Sequence, residues 1–324
     1  MKSIDVVAIC NALVDITVRV EEGDIARLGL TKGIMHLVDA DKQNKLLANF
    51  PDRSHNIELG GSSLNALRAI AGMGGKTAFA GMIGKDKFGR MVKDRLDQLS
   101  ITAHLSDSSD QTGTCAILVT PDSERTMNTN LGASRLFDES LVPRQSIKDA
   151  KIFHFCGYQW DTEGQKKAIT QAIQFAEQNQ CLISFDVADP FVVDRNRTEF
   201  IDLIERHADI VFANEKEAHM LYGCSADEAA RRISQTGAIA AVKTGAKGCT
   251  IARGNETIQV PARKTSVVDT TAAGDVFAGG FLYSYAHHKP LLECGMAATM
   301  LAADVISRLG TTVKDAVLAE AARL

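Results

Sequence analysis

Short apolar runs separated by longer helical stretches set the tightest limit on what this chain can fold into. The runs are "VVAIC", "TAFAGMIG", "KIFHF", "CLISFDV", "DIVFAN" and "AIAAVKTG". Between them, residues 61–73, 86–99, 163–178, 195–207 and 225–235 place apolar side chains near a 3.6-residue spacing. A strand apolar on both faces needs cover on both faces, and helices that link such strands make them parallel. The expected class is therefore α/β, with a mainly parallel central sheet flanked by helices. Beyond residue 270 the pattern turns helical, over 274–287, 291–307 and 313–323.

Two regions depart from this rhythm. Residues 11–38 hold "LVDITVRV" and "GIMHLV", and residues 101–128 hold "ITAHL", "GTCAILVT" and "ERTMN", all strand-like and without crossover helices. They fit either edge strands of the main sheet or a second, small sheet. The glycine-rich "LGGSSLN" that both regions flank favours the second. The expectation is one domain over 1–324, a large α/β core with a small β lid formed from about 11–38 and 101–128.

The totals restrict function. A chain of 324 residues with a net charge of -4 has no basic stripe for nucleic acid or an anionic membrane. Its seven cysteines stand singly, without a CxxC pair, which suits a reducing compartment and a cytoplasmic location. The apolar run in "MKSIDVVAIC" is short for a signal peptide and reads as a first strand. No window approaches the roughly 18 apolar residues that span a bilayer.

Three helix starts carry polar groups beside small residues. In "ELGGSSLNALRAIAGMGG", Gly60 and Gly61 permit close approach while Ser62, Ser63 and Asn65 offer hydrogen bonds; a turn with a cap would read the same. In "FANEKEA", Asn214 and Glu217 lie three apart at a strand end. That spacing fits a hydrated Mg²⁺, and equally a capping box. In "VVDTTAAGDVFAGGF", the small Ala272, Ala273 and Gly274 let the backbone close on an anion at a helix N-terminus. Asp275 follows at once. It is a poor ligand for phosphate, being negative itself, and reads either as a cap or as a base for a hydroxyl that attacks phosphorus. No GxxxxGK[ST] loop occurs.

These stretches resemble the ribokinase (PfkB) family of carbohydrate and nucleoside kinases. "DTTAAGDVFAGGF" is similar to that family's D-T-x-G-A-G-D motif, and "GGSSLNALRAIAGMGGKTAFAGMIGKDKFG" to its N-terminal glycine-rich motif. "NALVDI", "GTCAILVTPDSERTMNTNLGA" and "NEKEA" resemble the adenosine-kinase-like branch in the same order. The resemblance implies a ribokinase-like fold and transfer of the γ-phosphoryl of ATP, with Mg²⁺, to a primary hydroxyl. Asp275 falls on the family's base, and Ala272, Ala273 and Gly274 on its anion hole. Asp15, with Asn11 beside it, falls on the acid that grips two sugar hydroxyls, and Gly60, Gly61 and Asn65 on further sugar contacts. Asn214 and Glu217 match the N-x-x-E motif tied to Mg²⁺, reached through water, and phosphate placement. Arg125 matches an arginine that approaches the transferred phosphate.

The chain also departs from the family pattern. Ala272 replaces the commonest glycine, which matters if that position needs a positive φ. In "KTGAKG", Lys243 replaces a threonine ahead of Gly245 and Gly248 on the expected nucleotide side. Tyr158, Gln159 and Trp160 are more polar than the wall adenosine kinases turn to the base. The acceptor the resemblance favours is a purine nucleoside, adenosine first. A free sugar, a keto-deoxy sugar acid or a sugar phosphate stays open, as does an inactive nucleoside-binding regulator. The oligomeric state stays open between monomer and homodimer.

Overall fold

The computed structural model describes residues 2–53 and 55–324. Its strands, in chain order, are β1 (Ile4–Ile9), β2 (Leu13–Arg19), β3 (Met35–Leu37), β4 (His55–Gly60), β5 (Thr77–Gly84), β6 (Thr102–Ser108), β7 (Gly113–Val119), β8 (Arg125–Asn130), β9 (Ala150–Cys156), β10 (Leu182–Asp186), β11 (Ile210–Asn214), β12 (Ile239–Lys243), β13 (Cys249–Arg253) and β14 (Glu256–Val260). Nine of them form one sheet in the order β14-β13-β12-β11-β10-β9-β1-β5-β6. Pairing is parallel from β6 through β12 and antiparallel from β12 through β13 to β14 at the edge. The α/β class expected from the alternation is observed.

Strand β1 shows why the sheet is buried on both sides. Val7 and Ile9 pack with the helices Glu163–Gln178 and Pro190–Arg206, through Ala168, Ile169, Phe200 and Leu203. Val6 and Ala8 face the opposite way, onto Leu64, Leu67 and Ile70 of the helix Ser62–Gly72 and Phe277, Phe281 and Leu282 of the helix Ala273–Ala286. Successive side chains point to opposite faces, so a run with no polar position is the signature of a strand between two helical layers.

The other five strands make a second sheet, β3-β8-β7-β2-β4. One face packs Val18, Ala116 and Leu118 on Ile25, Leu46 and Phe50, carried by or next to the helices Glu22–Arg27 and Ala40–Leu47. The other face carries Cys115, Ile117, Val119 and Met127.

Thr102–Ser108, expected in the small sheet, pairs parallel with β5 as the edge of the large one, with Ala78 opposite Thr102. Its mostly exposed side chains gave no buried-strand signal. In exchange the small sheet gains β4, which pairs antiparallel with β2, Asp15 opposite Glu58. "HNIELG" reads as polar because it too is an edge strand, with Ile57 44% exposed. Among the described residues, no helix is long and apolar enough to cross a membrane.

Candidate active site

The carboxyl ends of the parallel strands open onto a cavity of about 290 Å³, the place where open α/β sheets take ligands. Past the end of β1 stand Cys10 and Asn11, β10 ends in Asp186, β11 in Asn214 and β12 in Lys243. Asn214 and Lys243 are register partners, so their side chains leave the sheet side by side. From the small sheet come Asp15 and Arg125, and the segment 270–275 closes the floor.

That floor is a tight turn. Buried Asp269 accepts from the Thr271 N–H at 2.9 Å, from its hydroxyl at 2.6 Å and from the Gly310 N–H at 3.1 Å. The chain then passes through Ala272 at φ +58°, a left-handed conformation, and starts the helix Ala273–Ala286. The Ala273 N–H turns back to the Thr270 carbonyl at 3.3 Å, and Val276 donates to the Ala272 carbonyl at 2.9 Å. Among the described residues, the N–H groups of Ala272, Gly274 and Asp275 have no protein acceptor. A helix start with free amides is an anion cradle. The set differs by one amide from the 272–274 expected, because Ala273 is spent on the turn.

Asp275 stands in the first turn of that helix. Asn65 Nδ2 donates to its Oδ2 at 2.9 Å. Burial pushes its pKa up to about 6; Asp186 adds to the rise, while the Asn65 bond, Arg125 and Lys243 oppose it. Asp15 is pushed higher, to about 7, by burial, by Asp275 and by Glu58, against Arg68 and Arg125. A carboxylate that titrates near neutrality holds both the affinity for a proton and the ionised state to take one.

Lys243 Nζ lies 3.3 Å from Asp186 Oδ2 and close to the helix start, where a Cβ on Gly274 would come within 3.0 Å of it. Burial draws its pKa down, but Asp186, Glu217 and Asp275 outweigh that and hold it above the usual lysine value. Asn214 and Glu217 form a capping box. Asn214 Oδ1 accepts from the Glu217 N–H at 2.9 Å, and the Asn214 N–H donates to Glu217 Oε2 at 2.7 Å. Glu217 Oε1 accepts from the Asn214 side chain as well. Burial, with Asp186 nearby, raises Glu217 to about 7.

Both oxygens of Glu217 are thus engaged by Asn214, and among the described residues no three His, Cys, Asp or Glu stand together as a direct metal cage. Asp186 and Glu217 nevertheless line one cavity, an arrangement that fits a hydrated Mg²⁺ contacted through its waters.

Two expected contacts lie outside the cavity. Gly60 faces Asp15: a Cβ there would sit 2.1 Å from Asp15 Oδ1, so the glycine makes room for the carboxylate. Gly248 belongs to the turn into β13, with φ +101° and space for a Cβ blocked by the Val260 carbonyl at 1.9 Å. Gly245 lines the cavity, as does Gly61, whose φ of +96° and contact with the Asn11 carbonyl exclude any other residue. Arg125 donates to the Thr270 carbonyl, tying small sheet to floor.

Of the polar trio, Tyr158 lines the cavity. Gln159 is buried beside Cys156, and Trp160 stacks on Phe155 while donating to Glu199 at 2.9 Å. His154 is a core histidine bonded to Ser184 at 3.0 Å, with burial pushing it down to about 4. Sequence reasoning missed Asp186, although an acid closing the apolar run "CLISFD" is the same strand-end signal that singled out Asn214.

Known proteins resemble the whole chain. A probable sugar kinase from Rhizobium etli superposes with a TM-score of 0.95 at 35% identity, covering 100% of this chain and 98% of that one. The adenosine kinase from Sinorhizobium meliloti does so with a TM-score of 0.94 at 33% identity, covering 100% and 99%. Adenosine kinase 2 from Arabidopsis thaliana is 25% identical over 334 aligned residues, 94% of each chain. The model of the pfkB family of carbohydrate kinases matches residues 30–316, and the chain belongs to that family, a phosphotransferase acting on a hydroxyl group.

Proposed function

We propose that this kinase transfers the γ-phosphoryl group of ATP to the 5′-hydroxyl of a purine nucleoside, adenosine first. The observation that carries the reading is the wall around Asp15. Leu13, Met35, Ile117, Met127 and Leu131 line the cavity on the small-sheet side, apolar cover suited to the faces of a purine, with one carboxylate among them to accept from paired ribose hydroxyls. A bare sugar, hydroxylated all round, would leave much of that wall unmatched.

Asp275 takes the proton of the acceptor hydroxyl as its oxygen attacks the γ-phosphorus and the bond to the leaving ADP breaks. With a pKa of about 6 it is mostly ionised at neutral pH. The free amides of Ala272, Gly274 and Asp275 hold charge that grows on the transferred group, and Arg125 and Lys243 add two cations to the same space. Mg²⁺ on the nucleotide would neutralise phosphate charge, with Glu217 and Asp186 facing its waters. The small sheet covers the cavity and acts as a lid that keeps water from competing with the acceptor.

A second reading, a sugar or sugar acid as acceptor, is favoured by the 35% identity to the Rhizobium etli probable sugar kinase. ADP release with Mg²⁺ and ATP, measured across purine nucleosides, pentoses, hexoses, hexose phosphates and sugar acids, decides between them. Turnover with a nucleoside, lost by about 10²–10⁴-fold in Asp275→Asn, is expected. Turnover confined to sugars overturns the acceptor and keeps the mechanism, whereas an active Asp275→Asn overturns the base.

A further inference from the structure

Asn65 meets Asp275 with one end of its amide, and the molecule must fix which end. Nδ2 donates to Asp275 Oδ2 at 2.9 Å, while Oδ1 accepts from Arg68 Nη1 at 3.0 Å, one helical turn along. An amide held from one side only could rotate and turn its oxygen to the carboxylate. Guanidinium has five donors and no acceptor, so only Oδ1 can face it.

Arg68 is itself held from three directions. Nη1 also donates to the Leu59 carbonyl at 3.0 Å and to Thr311 Oγ1 at 2.9 Å, and Nη2 donates to Thr312 Oγ1 at 2.9 Å. Glu58 Oε2 accepts from the N–H and hydroxyl of Thr311, at 2.7 and 2.9 Å, and closes the network. The last strand before the glycine turn, the helix Ser62–Gly72 and the loop after Leu291–Val305 thus converge on one side chain.

We propose that Arg68 is a positioning residue for phosphoryl transfer: it locks the Asn65 amide so that an N–H, and not the oxygen, meets the carboxylate of Asp275. The inference rests on Asp275 being the base. Asp275 shares its space with Asp15 from β2, Arg125 from β8, Asp186 from β10 and Lys243 from β12. Of these, the two acids raise its proton affinity and the two cations lower it. The Asn65 donor falls on the lowering side, so releasing the amide shifts Asp275 towards its protonated, inactive form. Arg68 also restrains Asp15 by its charge.

Arg68 does not line the reaction cavity. It lines a separate open groove of about 630 Å³, with Glu58, Lys87, Arg90 and Arg95 among its neighbours. Truncating it therefore opens a guanidinium-sized space to solvent and leaves the reaction cavity walled. That separation makes chemical rescue a fair test.

The experiment compares wild type, Arg68→Ala, Arg68→Lys and Asp275→Asn by kcat and KM across pH, with and without sub-denaturing guanidinium, alongside thermal unfolding. Arg68→Ala is expected to lose kcat by about 10- to 100-fold, the usual scale for a partner that orients a reacting group. The acid limb of its kcat profile should move to higher pH, and guanidinium should restore rate in this variant alone. Arg68→Lys keeps charge and stem but not the fork; it should fall between, with its acid limb moved the same way, and it decides the matter if Arg68→Ala does not fold. Loss of rate with an unmoved acid limb and no rescue assigns Arg68 a structural role and overturns the inference. So does an unchanged kcat. If Asp275→Asn remains active, the base assignment itself has failed, an outcome separate from either.

Discussion

Gly60 offers the sharpest steric test of the site. Its backbone φ is not in the left-handed region, so an alanine there is acceptable to the chain itself. The obstacle is Asp15: an added Cβ would stand 2.1, 2.4 and 2.7 Å from its Oδ1, Cγ and Oδ2, its three nearest neighbours. Cβ contacts below 3.0 Å are essentially never seen, so the carboxylate has to withdraw by about 0.9 Å, and overpacking of this kind costs about 1–3 kcal/mol. In a chain of this length, at about 2.1 cal/mol/K per residue, that lowers Tm by about 1.5–4.5 °C. On the proposed assignment of Asp15 to the acceptor's hydroxyls, a carboxylate so displaced no longer reaches them. Losing one hydrogen bond to a charged group, about 1.5–3 kcal/mol, raises KM for the acceptor by about 10- to 150-fold. Steady-state kinetics and thermal unfolding of Gly60→Ala, Asp15→Ala and the double variant measure both. All three clashing atoms vanish in Asp15→Ala, so Gly60→Ala should add almost nothing on that background. Additive losses in the double variant would refute the argument, because Gly60 would then be needed for something other than space.

Catalysis should fall as pH drops through about 7 to 6, where Asp15 and Asp275 take up protons. Stability should move the opposite way: Asp15, Asp275 and Glu217, whose folded pKa values are raised, bind protons that the unfolded chain releases, and these three outweigh buried His154, which works against them below about 6.5, so Tm should rise on going from pH 8 to about 5. A Tm that falls over that window would contradict the burial of these groups. Ala272→Gly removes about 1–2 kcal/mol of left-handed strain and adds about 0.4–1 kcal/mol of unfolded-state freedom, so Tm should rise by about 1 °C; a drop in calorimetry would count against the strain. Gly248→Ala should cost about 3 kcal/mol or more in unfolding experiments, given its φ of +101° and the Val260 carbonyl, while KM for ATP in the folded fraction stays put. A raised KM for ATP at unchanged Tm would return Gly248 to the nucleotide site.

How much could be read from the sequence depended on whether the signal was local. The strand "VVAIC" announces two-sided burial by itself, and "AAGD" announces a helix start with small residues and an acid, because both properties belong to neighbours in the chain. Edge strands hid: Thr102–Ser108 and His55–Gly60 keep an open side, and polar side chains erased the pattern that assigns a sheet. In the sequence Gly60 reads as a residue that permits close approach, yet its work depends on Asp15 across a strand pair, a relation set by register. The contact of Asn65 with Asp275 spans 210 residues and leaves no periodic trace. Ala272 is the instructive case. Its departure from the commonest motif was visible in the sequence, but only the backbone shows that the position does adopt a positive φ, at +58°.

The small sheet is suspended at both ends of the cavity. On one side, Asn11 and Gly61, where the chain first enters the small sheet and first leaves it, touch so closely that no Cβ fits between them. On the other, Arg125 grips the Thr270 carbonyl, and the turn at Ser123 bonds to Val267 and Thr270 at 3.3 and 3.4 Å. Mechanically this is a clasp with a fixed pivot and a weak catch, and the catch closes on the very turn that carries the free amides. Strengthening either strengthens the other by the same free energy. An anion that steadies the turn should therefore slow amide hydrogen exchange around residues 120–125, far from the pivot, while exchange at residues 10–12 barely changes.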